Sequence, residues 1–202
     1  VLDAALKLGA KVTGLEGKLA DQRLLVNSHY HQAGNHLCGL GIHRATLCHV
    51  LMQKLAEYSS QINWKMGHGV DQIQESTHEV RLIGSYQQQK FDACFDAVLI
   101  ANGARSQLRP KDWVKVDQAY PWGAAWSIVP ECPVLDSEIL HQFYDRSKIM
   151  MGILPTGAIP SAPQQRLSSI FWSLPTAQLQ SFLKDESAKR QWLKQVSDRW
   201  PD

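Results

Sequence analysis

FDAVLIANGARSQLR, at residues 95–109, is the stretch of sequence that most strongly indicates the fold. Its residues 96–101 form a nearly continuous apolar run, which is typical of a strand buried on both faces of a sheet. Asn102 and Gly103 follow it and predict a tight turn where that strand ends. We therefore expect 96–101 to be a central strand of an α/β protein.

A second informative stretch is GLGIHR, at residues 39–44, which leads from a glycine-rich loop into a helix. The helix is predicted over 43–58 because its apolar residues recur at helical intervals on one face. The residues on that face are Leu47, Val50, Leu51, Leu55 and Tyr58.

The rest of the chain divides into a strand-rich middle and a second strand-rich half. Short antiparallel strands forming a meander are predicted at 62–66, 69–74 and 79–84, with a polar hairpin tip at 87–90. Beyond Pro110, strands are predicted at 120–129, 138–144, 148–154 and 167–174. A short helix at 2–8, a strand at 24–30 and helices within 176–200 complete the prediction. The fold class is therefore mixed α/β.

Composition excludes several classes of function. The 202 residues are 44% hydrophobic and 20% charged, and a net charge of +2 is too small to predict nucleic acid as a partner. No apolar run approaches the roughly 20 residues of a membrane span, and the first residues do not resemble a signal peptide. Scattered cysteines without a C-x-x-C pair predict reduced, buried thiols in a cytoplasmic protein. They are Cys38, Cys48, Cys94 and Cys132.

Three histidines raise the alternative of a metal site. His29 and His31 stand two apart in a predicted strand, so both imidazoles would lie on one face at plausible ligand spacing. His36 follows, and Cys38 is the nearest soft ligand. Because no further ligand stands close by in sequence, we predict no metal here, and the histidines are interpreted as exposed polar residues.

The two quoted stretches each resemble a motif of the class A FAD-dependent monooxygenases, a family that includes para-hydroxybenzoate hydroxylase and the ubiquinone-biosynthesis hydroxylases. The order of elements is also similar, through to YPWG at 120–123, where the sheet of the second half begins. The resemblance implies part of a Rossmann-like FAD-binding domain over 1–110, interlocked with an antiparallel-sheet substrate domain over 111–202. It implies hydroxylation of an aromatic or other hydrophobic substrate with NAD(P)H and O2.

The same resemblance implies which residues contact the cofactor. Arg44 corresponds to the family's flavin-contacting arginine, and a planar guanidinium suits phosphate and carbonyl oxygens. Asn102, Gly103, Ser106 and Arg109 correspond to the motif that turns past the cofactor. Asn102 stands where the family usually has aspartate.

Substrate contacts are expected on two strands of the second half, at 150–157 and 169–172. Thr156, Phe171 and Trp172 are the candidates on this mostly apolar wall. No arginine stands within 150–157, so a simple benzoate is the less favoured substrate. No catalytic side chain is assigned, because the flavin carries the oxygen chemistry in such enzymes.

Two motifs of the family do not occur in the sequence: a strand followed by G-x-G-x-x-G, and a late Gly-Asp segment. We interpret the chain as an internal fragment of such an enzyme. The alternatives are a non-enzymatic module that binds a ligand or partner, and a flavin enzyme of another reaction type, such as a halogenase or an isoprenoid reductase. The oligomeric state stays open.

Overall fold

The structure, a computed structural model, describes residues 1–146 and 149–199. The helices are α1 Leu2–Leu8, α2 Arg44–Ala56, α3 Thr176–Lys184 and α4 Glu186–Arg199. The strands are β1 Ala10–Val12, β2 Gly14–Leu19, β3 Leu24–His29, β4 Gly39–Gly41, β5 Gly69–Glu75, β6 Val80–Tyr86, β7 Gln89–Phe95, β8 Trp122–Pro130, β9 Ile139–Asp145, β10 Ile149–Ile159 and β11 Ala162–Pro175. The mixed α/β class is thus confirmed. No helix among the described residues is long and apolar enough to cross a membrane.

These elements form two compact units. The first comprises Val1–Tyr58 and the described residues from Tyr120 onward, and the second is Ser59–Ala119. This division differs from the boundary predicted between 110 and 111. The physical reason is that β2, from the N-terminal part of the chain, pairs in parallel with β9, from the C-terminal part. Pairing between strands that lie far apart in the sequence therefore joins the N-terminal and C-terminal parts of the chain in one unit.

The first unit is built on a six-stranded sheet with the order β3-β2-β9-β10-β11-β8. All its pairs are antiparallel except β2–β9, and β10 and β11 form its long central hairpin. The antiparallel strands predicted for the second half of the chain are confirmed as β8 to β11. Lys148, the first residue of one predicted strand, lies outside the described residues.

One face of this sheet is covered by α3 and α4. Phe143, Met151 and Trp172 are almost fully buried there, and apolar residues of the two helices pack against them. The aromatic rings of Trp172 and Trp192 meet edge to face, with centroids 6.4 Å apart. We call this side of the sheet the helix-covered face. Burial of these large apolar side chains stabilises the first unit.

The second unit is a three-stranded antiparallel meander of β5, β6 and β7. Gln87 and Gln88 both have positive φ and form the two-residue turn between β6 and β7, at the predicted hairpin tip. Arg81 and Asp92 make a bidentate ion pair across β6 and β7. The hydrogen-bonding Arg81 guanidinium lowers the pKa of the Asp92 carboxyl. The predicted strand at 62–66 is not present.

The predicted central strand at 96–101 is wrong. These residues follow β7 without forming a strand, and Leu99 is 96% exposed. A strand buried on both faces needs a neighbouring strand on each edge and covering layers on both sides. Among the described residues no strand pairs with this segment, so its apolar side chains stay at the surface.

Two further sequence predictions are tested by burial. Helix α2 has the predicted position, but of its predicted apolar face only Val50 is buried, while Leu47 and Leu51 are exposed. The cysteines were expected to be buried, and this is wrong. Three of them are exposed and Cys132 is partly exposed. Within the meander, a hydrogen bond to Glu79 raises the pKa of the Cys94 thiol.

Candidate functional site

Phe171 and Trp172 are neighbours in β11, and side chains alternate between the two faces of a strand. Trp172 lies on the helix-covered face, where it is 9% exposed and belongs to the core. Phe171 therefore points to the opposite face of the sheet. The two predicted substrate residues cannot line one wall, and the position of Trp172 is that of a core residue.

The face that carries Phe171 is rich in aromatic side chains, and we call it the aromatic face. The strand register places Phe171 beside Trp126, and Tyr144 beside Met150, on this side. Trp126 is 62% exposed. This face thus presents planar apolar surface to its surroundings, as an aromatic ligand requires.

Gly152 in β10 fixes the position of the Phe171 ring. The two residues are register partners, and a Cβ atom on Gly152 would overlap the ring. The far end of the Phe171 ring therefore occupies the space beside Gly152 that a side chain would otherwise fill. Gly152 was not singled out in the sequence, and the available signal was a glycine within an apolar strand, which often marks close approach of another group.

Thr156 is buried near the far end of β10, with its side-chain hydroxyl donating a hydrogen bond to the carbonyl oxygen of Leu167 at 3.1 Å. Its own carbonyl oxygen accepts a hydrogen bond from the amide of His43 at 3.0 Å. Both polar groups therefore have partners within the protein. The role of Thr156 in this structure is to join β10 to β11 and to the start of α2.

Helix α2 is held against β10 by a second hydrogen bond. The hydroxyl of Thr46, which is fully buried, donates to the carbonyl oxygen of Ala158 at 2.9 Å. The backbones approach closely here, because a Cβ atom on Gly41 would overlap the carbonyl oxygen of Pro155. The first turn of α2 is thus fixed relative to the long hairpin of the sheet.

Arg44 is the first residue of α2 and is exposed. Among residues 1–146 and 149–199 its guanidinium has no hydrogen-bond or ion-pair partner. His43 caps the helix, its Nδ1 accepting from the amide of Ala45 at 3.2 Å. An unpartnered guanidinium beside the N-terminal amides of a helix fits an anionic group such as the phosphate of a dinucleotide.

The segment at 102–109 belongs to the second unit and forms a tight turn. Gly103 has a φ of +88°, and a Cβ atom there would meet nothing within 4 Å. Its carbonyl oxygen accepts from the amide of Ser106 at 3.1 Å. Glycine is therefore required by the backbone conformation, and the space beside it is open to a ligand.

Ser106 and Arg109 stabilise this turn from within. Ser106 is 7% exposed, and its hydroxyl accepts from the amide of Leu108 at 3.2 Å. The Arg109 guanidinium donates to the Ser106 carbonyl oxygen and to the carboxylate of Asp117, both at 3.3 Å. Asn102 precedes the turn and is exposed. The side chains of Ser106 and Arg109 thus make hydrogen bonds within the second unit. Contact of these residues with a cofactor stays a prediction.

The histidines form a small stack rather than a cluster of ligands. The rings of His29 and His31 have centroids 5.3 Å apart, and His29 Nε2 lies 2.6 Å from the side-chain oxygen of Asn27. In the part of the chain that the structure describes, no three His, Cys, Asp or Glu residues are placed to hold a metal ion.

The fold is similar to those of two enzymes of known structure. One is the p-nitrophenol 4-monooxygenase PnpA from Pseudomonas putida DLL-E4, with a TM-score of 0.72 and 15% identity, covering 98% of this chain and 48% of that one. The other is CmlS, a flavin-dependent halogenase, with a TM-score of 0.69 and 14% identity, covering 98% of this chain and 35% of that one. The chain thus spans less than half the length of either protein. No protein-family profile and no curated protein matches the sequence.

Proposed function

We propose that this chain is part of a flavin-dependent monooxygenase that uses NAD(P)H and O2 to hydroxylate an aromatic or other hydrophobic substrate. The observation that carries the proposal is the fixed connection between α2, which begins with the unpartnered Arg44, and the sheet that presents the aromatic face. A cofactor site and a substrate surface would then be held on one rigid unit.

In this proposal the protein binds and orients, and the cofactor supplies the redox chemistry. Arg44 and the N-terminal amides of α2 would hold an anionic part of FAD. FAD, when bound, supplies oxygen activation, with NAD(P)H as its reductant. The aromatic face would hold the substrate ring through Phe171 and exclude water from it. The similarity of the fold to that of PnpA, a monooxygenase, supports this reading.

Halogenation is the second candidate, because the fold is nearly as similar to that of the halogenase CmlS. The two reactions differ in what the substrate gains. A monooxygenase adds one oxygen atom to the ring, whereas a halogenase replaces a hydrogen atom of the substrate with a halogen atom. Because the two share a fold, the products must decide between them.

Both reactions are tested in the protein that carries this chain, supplied with FAD, NADH or NADPH, aromatic substrates and chloride. Substrate-dependent consumption of O2 and a product enlarged by one oxygen atom, seen by mass spectrometry, would support the monooxygenase. A chlorinated product formed only with chloride present would replace it with the halogenase. Absence of flavin binding would overturn both and favour a ligand-binding module.

A further inference from the structure

The imidazole of His43 caps the N-terminus of α2. His43 is the residue before the helix, and its Nδ1 lies 3.2 Å from the backbone amide of Ala45, in the first turn. An amide N–H can donate only to a ring nitrogen that carries a lone pair. The cap therefore requires an uncharged imidazole with its proton on Nε2.

Protonation of His43 would remove this cap. In the charged imidazole both ring nitrogens are donors, so Nδ1 would meet the Ala45 amide donor to donor. The positive charge would also lie at the N-terminal, positive end of the helix dipole, next to the charge of Arg44. Both effects act against the start of the helix that the neutral imidazole stabilises.

Few ionisable groups lie on the elements that pack against α2, which are α1 and β10. Strand β10 contains none, and neither does β4, which leads into the helix. Those of α1 are Asp3 and Lys7, both exposed. Those of α2 itself are Arg44, Cys48, His49 and Lys54. Among residues 1–146 and 149–199, no carboxylate forms an ion pair with His43 that would favour its protonation.

The attachment of α2 to the sheet passes through the same turn of the helix. The His43 amide donates to the carbonyl oxygen of Thr156, and the Thr46 hydroxyl donates to that of Ala158, both in β10. The capped amide of Ala45 lies between these two bonds in the sequence. Loss of the cap would therefore loosen the turn that both bonds hold.

We infer that His43 is a pH-sensitive cap, which stabilises the first turn of α2 against β10 when its imidazole is neutral and loosens that turn when the imidazole is protonated. Histidine side chains ordinarily change charge between about pH 5 and pH 8. The stabilisation is therefore complete at the upper end of this range and is lost as the pH falls through it. The inference goes beyond the proposed function, because it holds whether or not α2 contacts a flavin.

His43→Asn tests the inference, because asparagine caps a helix well and does not titrate. The full chain is denatured with urea at about pH 8 and about pH 5.5, near the two ends of the histidine range, and circular dichroism follows unfolding. Acidification should lower the folding equilibrium constant of wild type about two- to thirtyfold more than that of His43→Asn, as loss of a cap predicts. His49→Asn is the matched control, the same change at an exposed residue of the same helix, and should keep the wild-type response.

His43→Ala and nuclear magnetic resonance of the imidazole nitrogens complete the test. Alanine offers no acceptor, so this variant should be less stable than His43→Asn at both pH values and should also lose the extra acid response. At the higher pH, wild-type protein should carry the His43 proton on Nε2. A proton on Nδ1, or an acid response of His43→Asn equal to that of wild type, would overturn the inference.

Discussion

The backbone amide of His43 donates a hydrogen bond to the carbonyl oxygen of Thr156 at 3.0 Å. This contact places the residue before Arg44 directly beside a residue of β10, more than a hundred positions away in the chain. The sequence predicted a cofactor role for Arg44 and a substrate role for Thr156 separately. The structure joins α2 and β10 in one unit. A substitution that disturbs one of these two elements should therefore disturb the other.

Thr46→Val should weaken the attachment of α2 to β10. The substitution keeps the volume of a fully buried side chain but removes the hydroxyl that donates to Ala158, so the unfolding free energy should fall by roughly 1 to 3 kcal/mol. Urea denaturation followed by circular dichroism measures the loss. Thr77→Val, the same change at an exposed residue, should stay within about 0.5 kcal/mol of wild type. Equal stabilities of the two variants would show that the buried hydrogen bond contributes nothing.

Gly157→Ala should be more harmful than Gly103→Ala. Both glycines have positive φ, but only at Gly157 would a Cβ atom overlap neighbouring backbone, that of Leu8 and Gly9. We expect losses of roughly 3 to 5 kcal/mol at Gly157, and of about 1 to 2 kcal/mol at Gly103, where backbone strain acts alone. Chemical denaturation of both variants measures the difference. A Gly103 variant as unstable as the Gly157 variant would contradict the described geometry.

The opposite placement of Phe171 and Trp172 is tested by truncating each in turn. Trp172→Ala opens a cavity in the core beneath α3 and α4 and should cost roughly 3 to 5 kcal/mol of unfolding free energy. Phe171→Ala removes a partly exposed ring and should cost less than about 2 kcal/mol. Thermal unfolding ranks the two. If Phe171→Ala proves the more damaging change, the assignment of the two faces is wrong.

The ion pair between Arg81 and Asp92 should make the meander sensitive to acid. The folded protein lowers the pKa of Asp92 below its ordinary value of 3.8, so the stabilisation is complete above that pH and is lost as the pH falls through the lower, folded value. Wild-type protein should lose more stability than Asp92→Asn between about pH 5 and pH 2. Denaturation at several pH values measures this, and parallel curves for the two proteins would contradict it. High salt should reduce the difference, because both side chains are exposed.

Local sequence patterns predicted the elements whose residues show a clear periodicity or clear glycine and proline breaks. Helix α2 and strands β8 to β11 follow from periodicity and from glycine and proline breaks. Strand β2 was missed because Gly14, Glu16 and Lys18 interrupt its apolar pattern, and its stability comes from pairing with the distant β9. The apolar run at 96–101 would form a buried strand only with neighbouring strands to pair with. No strand among the described residues pairs with it.

The candidate site was predictable only in part, for a similar reason. Arg44 and Gly103 could be identified because a motif carries them. The alternation of side chains could have separated Phe171 from Trp172, since strand period alone places neighbours on opposite faces. Gly152 depends on strand register, which becomes visible only when the strands are assembled.

Flavin binding is the decisive measurement for the proposed function. FAD is titrated into the protein that carries this chain, with flavin fluorescence as the readout, and the titration is repeated for Arg44→Gln and for Arg190→Gln as the control. Wild-type protein should bind FAD saturably, Arg44→Gln should raise the dissociation constant about ten- to a hundredfold, and the control should leave it unchanged. Failure of the wild-type protein to bind FAD, or equal affinity in Arg44→Gln, would contradict the proposed function.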